Sequence, residues 1–185
     1  MKQTMWAVLL ILLLSGAVLS DRNTRFTNLK CDVLDPTYCP FAKCDLKVIG
    51  RGVIAMNLHM NVLKGSFNNA KVNLSLWRKF NGFRPFMFNT TFDFCKAMAC
   101  TNSTLSLQRV FYRAVKKYSN VNHTCPFGVI LFQNEILFRK LVFKNEHFKF
   151  LPLPSGEYQI QLAAATDNEW QTKVYVNLLI EKDLN

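Results

Sequence analysis

The chain has 185 residues, of which 50% are hydrophobic, and its 23 Lys and Arg outnumber 12 Asp and Glu to give a formal net charge of +11. This length suffices for one domain with a hydrophobic core. After residue 20, no apolar run reaches the length of about 18 that a membrane-spanning helix needs, which excludes such a helix there. The positive charge favours anionic partners such as lipid headgroups, acidic glycans or nucleic acid, without choosing among them.

The first twenty residues have the layout of a secretory signal peptide. Lys2 precedes an unbroken apolar run, residues 6–14, and small or weakly polar residues follow. We expect cleavage after Ser20, with a cut after Ala17 as the nearest competitor. The predicted organisation is therefore a signal peptide at 1–20 and a single domain at 21–185, secreted into the extracellular space.

Cysteines and glycosylation sequons agree with a secretory route. An even number of cysteines in an oxidising compartment predicts disulfide bonds, here three, with the connectivity left open. The six cysteines are Cys31, Cys39, Cys44, Cys95, Cys100 and Cys125. N-glycosylation is predicted at the sequon residues Asn73, Asn89, Asn102 and Asn122.

Alternation of apolar and polar residues predicts half-buried antiparallel strands along much of the chain. The inward-facing sets are Ile54, Met56, Leu58, Met60 and Val62 in one strand, Ala70, Val72, Leu74 and Leu76 in the next, and Phe86, Phe88, Phe92 and Phe94 in a third. The residues between them, which include Ala55, Asn73, Ser75 and Asn89, are predicted to face solvent.

The second and third of these strands meet at the Asn-Gly pair of positions 81 and 82, which marks a hairpin. A two-residue loop would set an inward leucine opposite Asn89 and so violate the alternation. A three-residue loop, residues 80–82 with Gly82 in the left-handed conformation, sets Asn73 directly across from Asn89 and Leu74 by Phe88. We predict this second register because both sequon asparagines then face solvent.

One segment has helical rather than strand periodicity. Apolar residues recur every three or four positions in "STLSLQRVFYRAVKKY", which predicts one amphipathic helix from Leu105 to Tyr118. Residues 102–104 can cap its start. Its open side carries Arg109, Arg113, Lys116 and Lys117. A basic stripe of this kind can contact anionic headgroups or glycans, but a solvated face is the commoner case.

Strand patterns return after the helix, at 129–133, 136–143, 158–164 and 172–180, with the proline-rich joint "LPLPSG" between the second and third. The sequence therefore predicts seven or eight strands joined by short turns, with one inserted helix. This pattern is typical of an all-β fold, an antiparallel sandwich of two sheets.

No arrangement of residues predicts catalysis or a metal site. The histidines, His59, His123 and His147, form no HExxH motif and do not alternate with cysteines at zinc spacing. A nucleophile elbow and a Gly-rich phosphate loop are absent from the sequence. A ribonuclease-like pair of imidazoles is the third-ranked alternative. We expect no enzyme activity, no metal and no cofactor.

The aromatic content is high, with 16 Phe, 5 Tyr and 3 Trp, and many of the Phe lie on predicted inner faces. A filled core and a hollow one that holds an apolar ligand both require such faces. The pattern of residues therefore leaves both possibilities open.

Five segments together resemble a large insect-expanded family of secreted proteins of uncharacterised biochemistry, some linked to chemosensation. They are "FTNLKC" (26–31), "CDLKVIGR" (44–51), "NGFRPFMFNTTFDFC" (81–95), "YSNVNHTCPF" (118–127) and "LPLPSGEY" (151–158). That family in turn resembles the ML lipid-recognition superfamily, which includes the ganglioside activator and sterol-carrier proteins. The resemblance implies an immunoglobulin-like sandwich that holds a lipid between its sheets.

The same resemblance implies a disulfide pattern. Two bridges follow from the four family cysteines, Cys31 with Cys44 and Cys95 with Cys125. The remaining two, Cys39 and Cys100, depart from the family pattern and are predicted to bridge each other. A sterol-carrier-like scheme is the rival, with pairs 39–44, 95–100 and 31–125.

We therefore predict a secreted, disulfide-bonded glycoprotein that binds a small hydrophobic ligand, a lipid, sterol or pheromone-like molecule, in a cavity between its sheets. The predicted lining residues are Met56, Leu58, Leu74, Leu76, Phe86, Phe88, Phe132, Ile160 and Val176. The helix is predicted to form a lid, with Arg109, Arg113 and Lys117 at the rim or on an acidic headgroup.

Partners beyond the ligand are predicted to be a receptor or an anionic membrane surface. We expect no nucleic-acid partner and a monomeric protein. The alternative function is that of an extracellular protein–protein interaction module with a filled core.

Overall fold

The computed structural model describes residues 22–64, 69–99, 107–121, 125, 135–143, 151 and 153–182. The predicted signal peptide and the predicted strand at 129–133 lie outside these ranges. The described residues form eight strands and two helices. The strands are β1 (Arg22–Val33), β2 (Phe41–Gly50), β3 (Val53–Asn61), β4 (Lys71–Lys79), β5 (Phe83–Asp93), β6 (Glu135–Leu141), β7 (Gly156–Thr166) and β8 (Glu169–Lys182), and the helices are α1 (Phe94–Ala99) and α2 (Leu107–Lys116).

The strands form two antiparallel sheets. One has five strands in the order β1-β8-β7-β4-β5, and the other has three in the order β2-β3-β6. This arrangement confirms the predicted all-β sandwich. The alternation of β8 shows why the sandwich forms. Val174, Val176 and Leu178 are buried, whereas Lys173, which precedes Val174, is exposed. Each sheet buries its apolar face against the other.

Inward residues of the five-stranded sheet form rows across neighbouring strands. One row joins Leu29, Val176, Ile160 and Leu76 through the register of β1, β8, β7 and β4. A tightly packed region begins at Leu76 of this row and extends toward the β4–β5 hairpin. We call it the filled end. Its fully buried members are Leu76, Leu153, Tyr158, Leu178 and Ile180.

Tyr158 shows how closely the filled end is packed. Its side chain is 0% exposed, and its hydroxyl donates a hydrogen bond to the carbonyl oxygen of Pro154 at 2.7 Å. A tyrosine that bonds back to the chain a few residues upstream is a recurrent feature of immunoglobulin-like sandwiches. The guanidinium of Arg78 lies 5.7 Å from the same ring and 5.6 Å from that of Phe86, which closes this end with cation–π contacts.

The β4–β5 hairpin follows the predicted register only near its turn. Trp77 pairs with Pro85 as predicted, but Asn73 pairs with Thr91 and not with Asn89. The shift occurs where β5 has two residues more than β4, and Met87 there has a left-handed φ of 63°. A two-residue insertion preserves the alternation, so the phenylalanines still face inward. The prediction that Gly82 adopts a left-handed conformation was wrong. In this hairpin Met87, and not Gly82, has a positive φ.

The hairpin brings two predicted glycosylation sites together. Asn89 is exposed, whereas Asn73 is half-buried and its Nδ2 donates hydrogen bonds to Asn89 Oδ1 at 2.8 Å and to Thr91 Oγ1 at 2.9 Å. The hydroxyl residue of the Asn73 sequon, Ser75, is 4% exposed although it was predicted to face solvent. Its Oγ accepts a hydrogen bond from Trp77 Nε1. Asn89 is thus the more exposed of these two predicted glycosylation sites, and Asn102 and Asn122 lie outside the described residues.

Other corrections concern Ala55 and the end of β5. Ala55, predicted to face solvent, is 0% exposed, because a methyl group on the central strand of its sheet is shielded by longer neighbouring side chains. Phe94 was predicted to continue the strand but begins α1. The preceding Asp93 accepts a hydrogen bond from the backbone N–H of Lys96 at 3.0 Å, as an N-cap does. The described residues therefore contain two short helices, whereas one helix was predicted.

Two disulfide bonds link the described residues. Cys31 on β1 bonds to Cys44 on β2, which joins the two sheets, and Cys95 in α1 bonds to Cys125. These are the pairs that the family resemblance implied, and they contradict the rival sterol-carrier-like scheme. Each bridge stabilises the fold mainly by restricting the unfolded chain.

Candidate functional site

An apolar cavity of about 150 Å³ lies between the two sheets. It lies at the opposite end of the sandwich from the filled end, around the start of β4 and β8 and the end of β7, and we call this region the hollow end. Inward residues of β3, β4, β6, β7 and β8 line it, together with α2. Its walls are almost wholly hydrophobic, as is usual for sites that hold apolar ligands.

Small side chains on the five-stranded sheet explain why this end is hollow. Val72, Ala164 and Thr172 form one inward row, and Ala70 and Ala165 line the cavity beside it. The corresponding rows of the filled end carry leucine, tyrosine and phenylalanine. Short side chains leave a volume that their partners across the core do not fill.

The opposite wall depends on a β-bulge in β6. Phe138 and Leu141 both face the cavity, although residues three positions apart lie on opposite faces of a regular strand. Between them Lys140 has a left-handed φ of 51°, and its backbone N–H donates a hydrogen bond to Asn57 Oδ1 at 3.0 Å. The Asn57 amide in turn donates to Asp45 at 2.8 Å. This bulge turns one extra apolar side chain inward.

Helix α2 covers part of the cavity. Phe111 and Val115 line it, as the predicted lid requires. The predicted rim residues do not line it: Arg113 and Lys117 are exposed and Arg109 is half-buried. The apolar stripe of the helix therefore faces the cavity and its basic stripe faces away.

A buried thiol belongs to the cavity wall. Cys39 is a free cysteine with 6% of its surface exposed, and burial raises the pKa of its thiol from 9.0 to about 11. The thiol is thus neutral near pH 7 and behaves as a small apolar group. The predicted bridge between Cys39 and Cys100 was therefore wrong, because the Cys39 thiol is free; Cys100 itself lies outside the described residues.

The structure separates the predicted lining residues into two groups. Met56, Leu58, Ile160 and Val176 line the cavity, whereas Leu74, Leu76, Phe86 and Phe88 do not. Leu76, Phe86 and Phe88 pack in the filled end instead, and Leu74 is buried at 3% exposure outside the lining. Phe132 lies outside the described residues. The sequence thus predicted which of these side chains point inward. It did not predict how far along its strand each one lies from the cavity.

Several lining residues were missed by the sequence analysis, although the sequence contains a signal for some of them. The run "LAAAT" (162–166) places small residues in a strand whose neighbours carry large ones, which is the pattern that leaves space. Gln171 was missed because a bulge, invisible to strict alternation, turns it inward. Tyr38 and Cys39 lie in a loop with no periodicity to reveal them.

Catalytic and metal-binding chemistry has little support in the described part of the chain. No cluster of three or more His, Cys, Asp or Glu there could hold a metal ion. His59 Nε2 lies 3.2 Å from Glu135 Oε2 without hydrogen-bond geometry, on the outer face of its sheet. His123 and His147 lie outside the described residues. Within those residues, no helix has the length and apolarity to span a membrane.

Comparison with known proteins finds similarity to one family over part of the chain and no known activity. A family model described as "Protein of unknown function (DUF1091)" matches residues 72–160. This segment runs from β4 into β7 and includes both helices. No curated protein matches the chain. The chain is therefore similar to an uncharacterised family, and its resemblance to the lipid-recognition superfamily stays a prediction.

Proposed function

We propose that this protein is a secreted, glycosylated, non-enzymatic carrier or sensor protein that binds a small hydrophobic ligand in the hollow end. The apolar cavity between two disulfide-linked sheets is the observation on which the proposal rests. An unfilled apolar void forfeits dispersion contacts along its walls, and a guest of matching size restores them. The resemblance to chemosensory and lipid-recognition families points in the same direction.

The size of the cavity narrows the class of guest. An apolar cavity of about 150 Å³ engineered into another protein stays dry and binds benzene. Sites for drug-sized ligands usually have about 300–1,000 Å³. A guest of roughly six to ten carbon atoms therefore matches this volume, which favours a pheromone-like molecule over a sterol.

A pair of alanine variants tests the proposal. Ala164 lines the cavity and Ala163 does not, although the two are adjacent on β7. Ala164→Leu places a larger side chain in the void and is expected to weaken binding of ethylbenzene at least tenfold, whereas Ala163→Leu leaves it unchanged. Calorimetric titration measures both affinities. A wild-type protein that takes up no such compound, and that carries no copurified ligand in native mass spectrometry, would contradict the proposal.

A second candidate function, docking on an anionic membrane surface, is favoured by the tip of the β2–β3 hairpin. Val48, Ile49 and Val53 are 70%, 44% and 38% exposed there. Lys47 and Arg51 are exposed among them. Apolar side chains with adjacent cations suit the interface of an anionic bilayer, where the side chains enter the headgroup region and the cations contact phosphates.

Sedimentation with vesicles tests this second function. The protein is expected to bind phosphatidylcholine vesicles that contain phosphatidylserine, and Val48→Asp is expected to reduce that binding several-fold. Leu63→Asp is the matched control, because Leu63 is 59% exposed away from the hairpin tip. Equal binding by both variants, or equal binding to uncharged vesicles, would exclude specific docking through the tip.

A further inference from the structure

Two of the residues that line the cavity contain a buried polar atom without a hydrogen-bond partner in the described part of the chain. Thr166 is 6% exposed and Gln171 is 5% exposed, and both line the cavity. Thr166 Oγ1 and Gln171 Oε1 are completely buried and have no hydrogen-bond partner among the described residues. Buried polar groups in proteins almost always have a partner, because an unpaired one loses its bonds to water without replacement.

The β7–β8 hairpin fixes both residues at the same end of the cavity. Asp167 and Asn168 have φ values of 52° and 66°, as the central residues of a type I′ turn do, and Thr166 immediately precedes them. Across the hairpin, Ala164 pairs with Thr172 and Ala165 with Trp170, so Gln171 is the extra residue of a bulge. The bulge directs its side chain inward.

Contacts around the hairpin hold this geometry. The carbonyl oxygen of Gln171 accepts hydrogen bonds from the backbone N–H groups of Leu34 at 2.8 Å and Asp35 at 3.3 Å. The side chain of Asn69 donates to Asp167 Oδ1 at 3.0 Å and accepts from the Asp167 N–H at 3.3 Å. The backbone that positions both side chains is therefore held in place before any ligand arrives, which reduces the entropy that binding must restrict.

We propose that the ligand of the hollow end is a small alcohol whose hydroxyl group binds between Thr166 and Gln171 while its hydrocarbon part fills the cavity. This inference rests on the proposed function. A hydroxyl matches both atoms, since it can donate to Gln171 Oε1 and accept from the Thr166 hydroxyl. A pure hydrocarbon of the same size leaves both oxygens unpaired.

Two compounds of equal size test the inference. Benzyl alcohol and ethylbenzene each have eight non-hydrogen atoms and differ by a hydroxyl in place of a methyl group. In an apolar cavity without polar partners, the alcohol binds much more weakly than the hydrocarbon because it loses its bonds to water. We expect Thr166→Val and Gln171→Leu each to weaken benzyl alcohol binding about tenfold, while ethylbenzene binding stays the same or improves.

Three comparisons make the result specific. Thr166→Ser, which keeps the hydroxyl, is expected to retain the wild-type ratio of the two affinities. Ser119→Ala removes another buried, unpartnered hydroxyl that does not line the cavity, and should also leave the ratio unchanged. The ratio is measured within each variant by calorimetric titration, so a general loss of stability affects both ligands alike. If a variant does not fold, nuclear Overhauser contacts between the alcohol's methylene and the Thr166 methyl group in the wild type decide the point.

The outcomes separate this inference from the proposed function. Equal changes for the two compounds in the Val and Leu variants, or an absence of contacts to Thr166, would overturn the alcohol assignment and leave a water molecule as the partner of both oxygens. Ethylbenzene would then still bind, and the cavity would remain a ligand site. Failure of both compounds to bind the wild type would overturn the proposed function itself.

Discussion

The filled and hollow ends of the sandwich are built by the same strands with the same alternation, yet only one of them contains a void. In β7, Tyr158 packs in the filled end and Ala164 lines the cavity, six positions further along the same inward face. The difference lies in the volume of the inward side chains. Alternation thus decides which side of a sheet is apolar, and side-chain size decides whether the space between the sheets is occupied.

Bulges act differently at the two ends. On β5 the insertion at Met87 adds two residues and keeps the phenylalanines facing inward, toward the filled end. On β8 the insertion of one residue at Gln171 brings a polar side chain into the hollow end. Because side chains alternate with a period of two, only an odd insertion exchanges the faces. The two-residue insertion therefore preserves the packed core of the filled end, whereas the one-residue insertion brings a polar side chain into the hollow end.

The largest expected difference between the two ends is in the free energy of unfolding after a leucine is truncated. Leu178 in the filled end is 0% exposed, and Leu58 in the cavity wall is 5% exposed. We expect Leu178→Ala to lower the stability by about 4 kcal/mol and Leu58→Ala by about 2 kcal/mol, because Leu58 already faces empty space and loses fewer contacts. Chemical denaturation measures both. Equal losses would show that the hollow end is as tightly packed as the filled end.

A somewhat smaller effect is expected from the bridge that joins the sheets. Cys31 and Cys44 are 13 residues apart, and replacing both by serine should lower the stability by about 3 kcal/mol. Both pack against the buried cluster that includes Leu58 and Val176 of the cavity wall. The double variant should therefore also bind ethylbenzene more weakly, because the sheets are free to change their separation. Unchanged affinity in the folded variant would mean that packing alone holds the hollow end open.

The smallest effect concerns pH and the thiol in the cavity wall. The pKa of Cys39 is raised from 9.0 to about 11 in the folded protein, so its neutral form favours folding fully below pH 9. That contribution is lost as the pH rises through 11. The wild type should lose on the order of 1 kcal/mol more stability over this interval than Cys39→Ala. Parallel curves would contradict a buried free thiol, and mass spectrometry of peptides would then show whether Cys39 is oxidised.

Much of the fold was predictable because period-two patterns carry direct information about faces. The inward set of β4 and the residue before it, Ala70, Val72, Leu74 and Leu76, was predicted residue by residue, and all four are buried. The helix at α2 was predicted from its periodicity, although its bounds are shorter than predicted. Helix α1 was missed because six residues are too few to show helical periodicity. The local sequence signal for its start is the N-cap residue Asp93.

The site was less predictable than the fold. Half of the described residues chosen as cavity lining do not line it, and three of them, Leu76, Phe86 and Phe88, lie in the filled end. They were chosen for being large and inward-facing, whereas a void forms where inward residues are small. Gln171 was not predicted because only the bulge on β8 turns it inward. Thr166 continues the inward phase of β7 but lies beyond the predicted end of that strand at 164.

By itself, the sequence determined the apolar and polar faces of the strands, the all-β class and the amphipathic helix, since each depends on the spacing of residues along one segment. Only the tertiary structure decided where the two sheets enclose a void, which polar atoms enter it and that a disulfide joins the sheets beside it. Those features depend on residues far apart in the chain meeting across the core, and on single-residue insertions that no local period records.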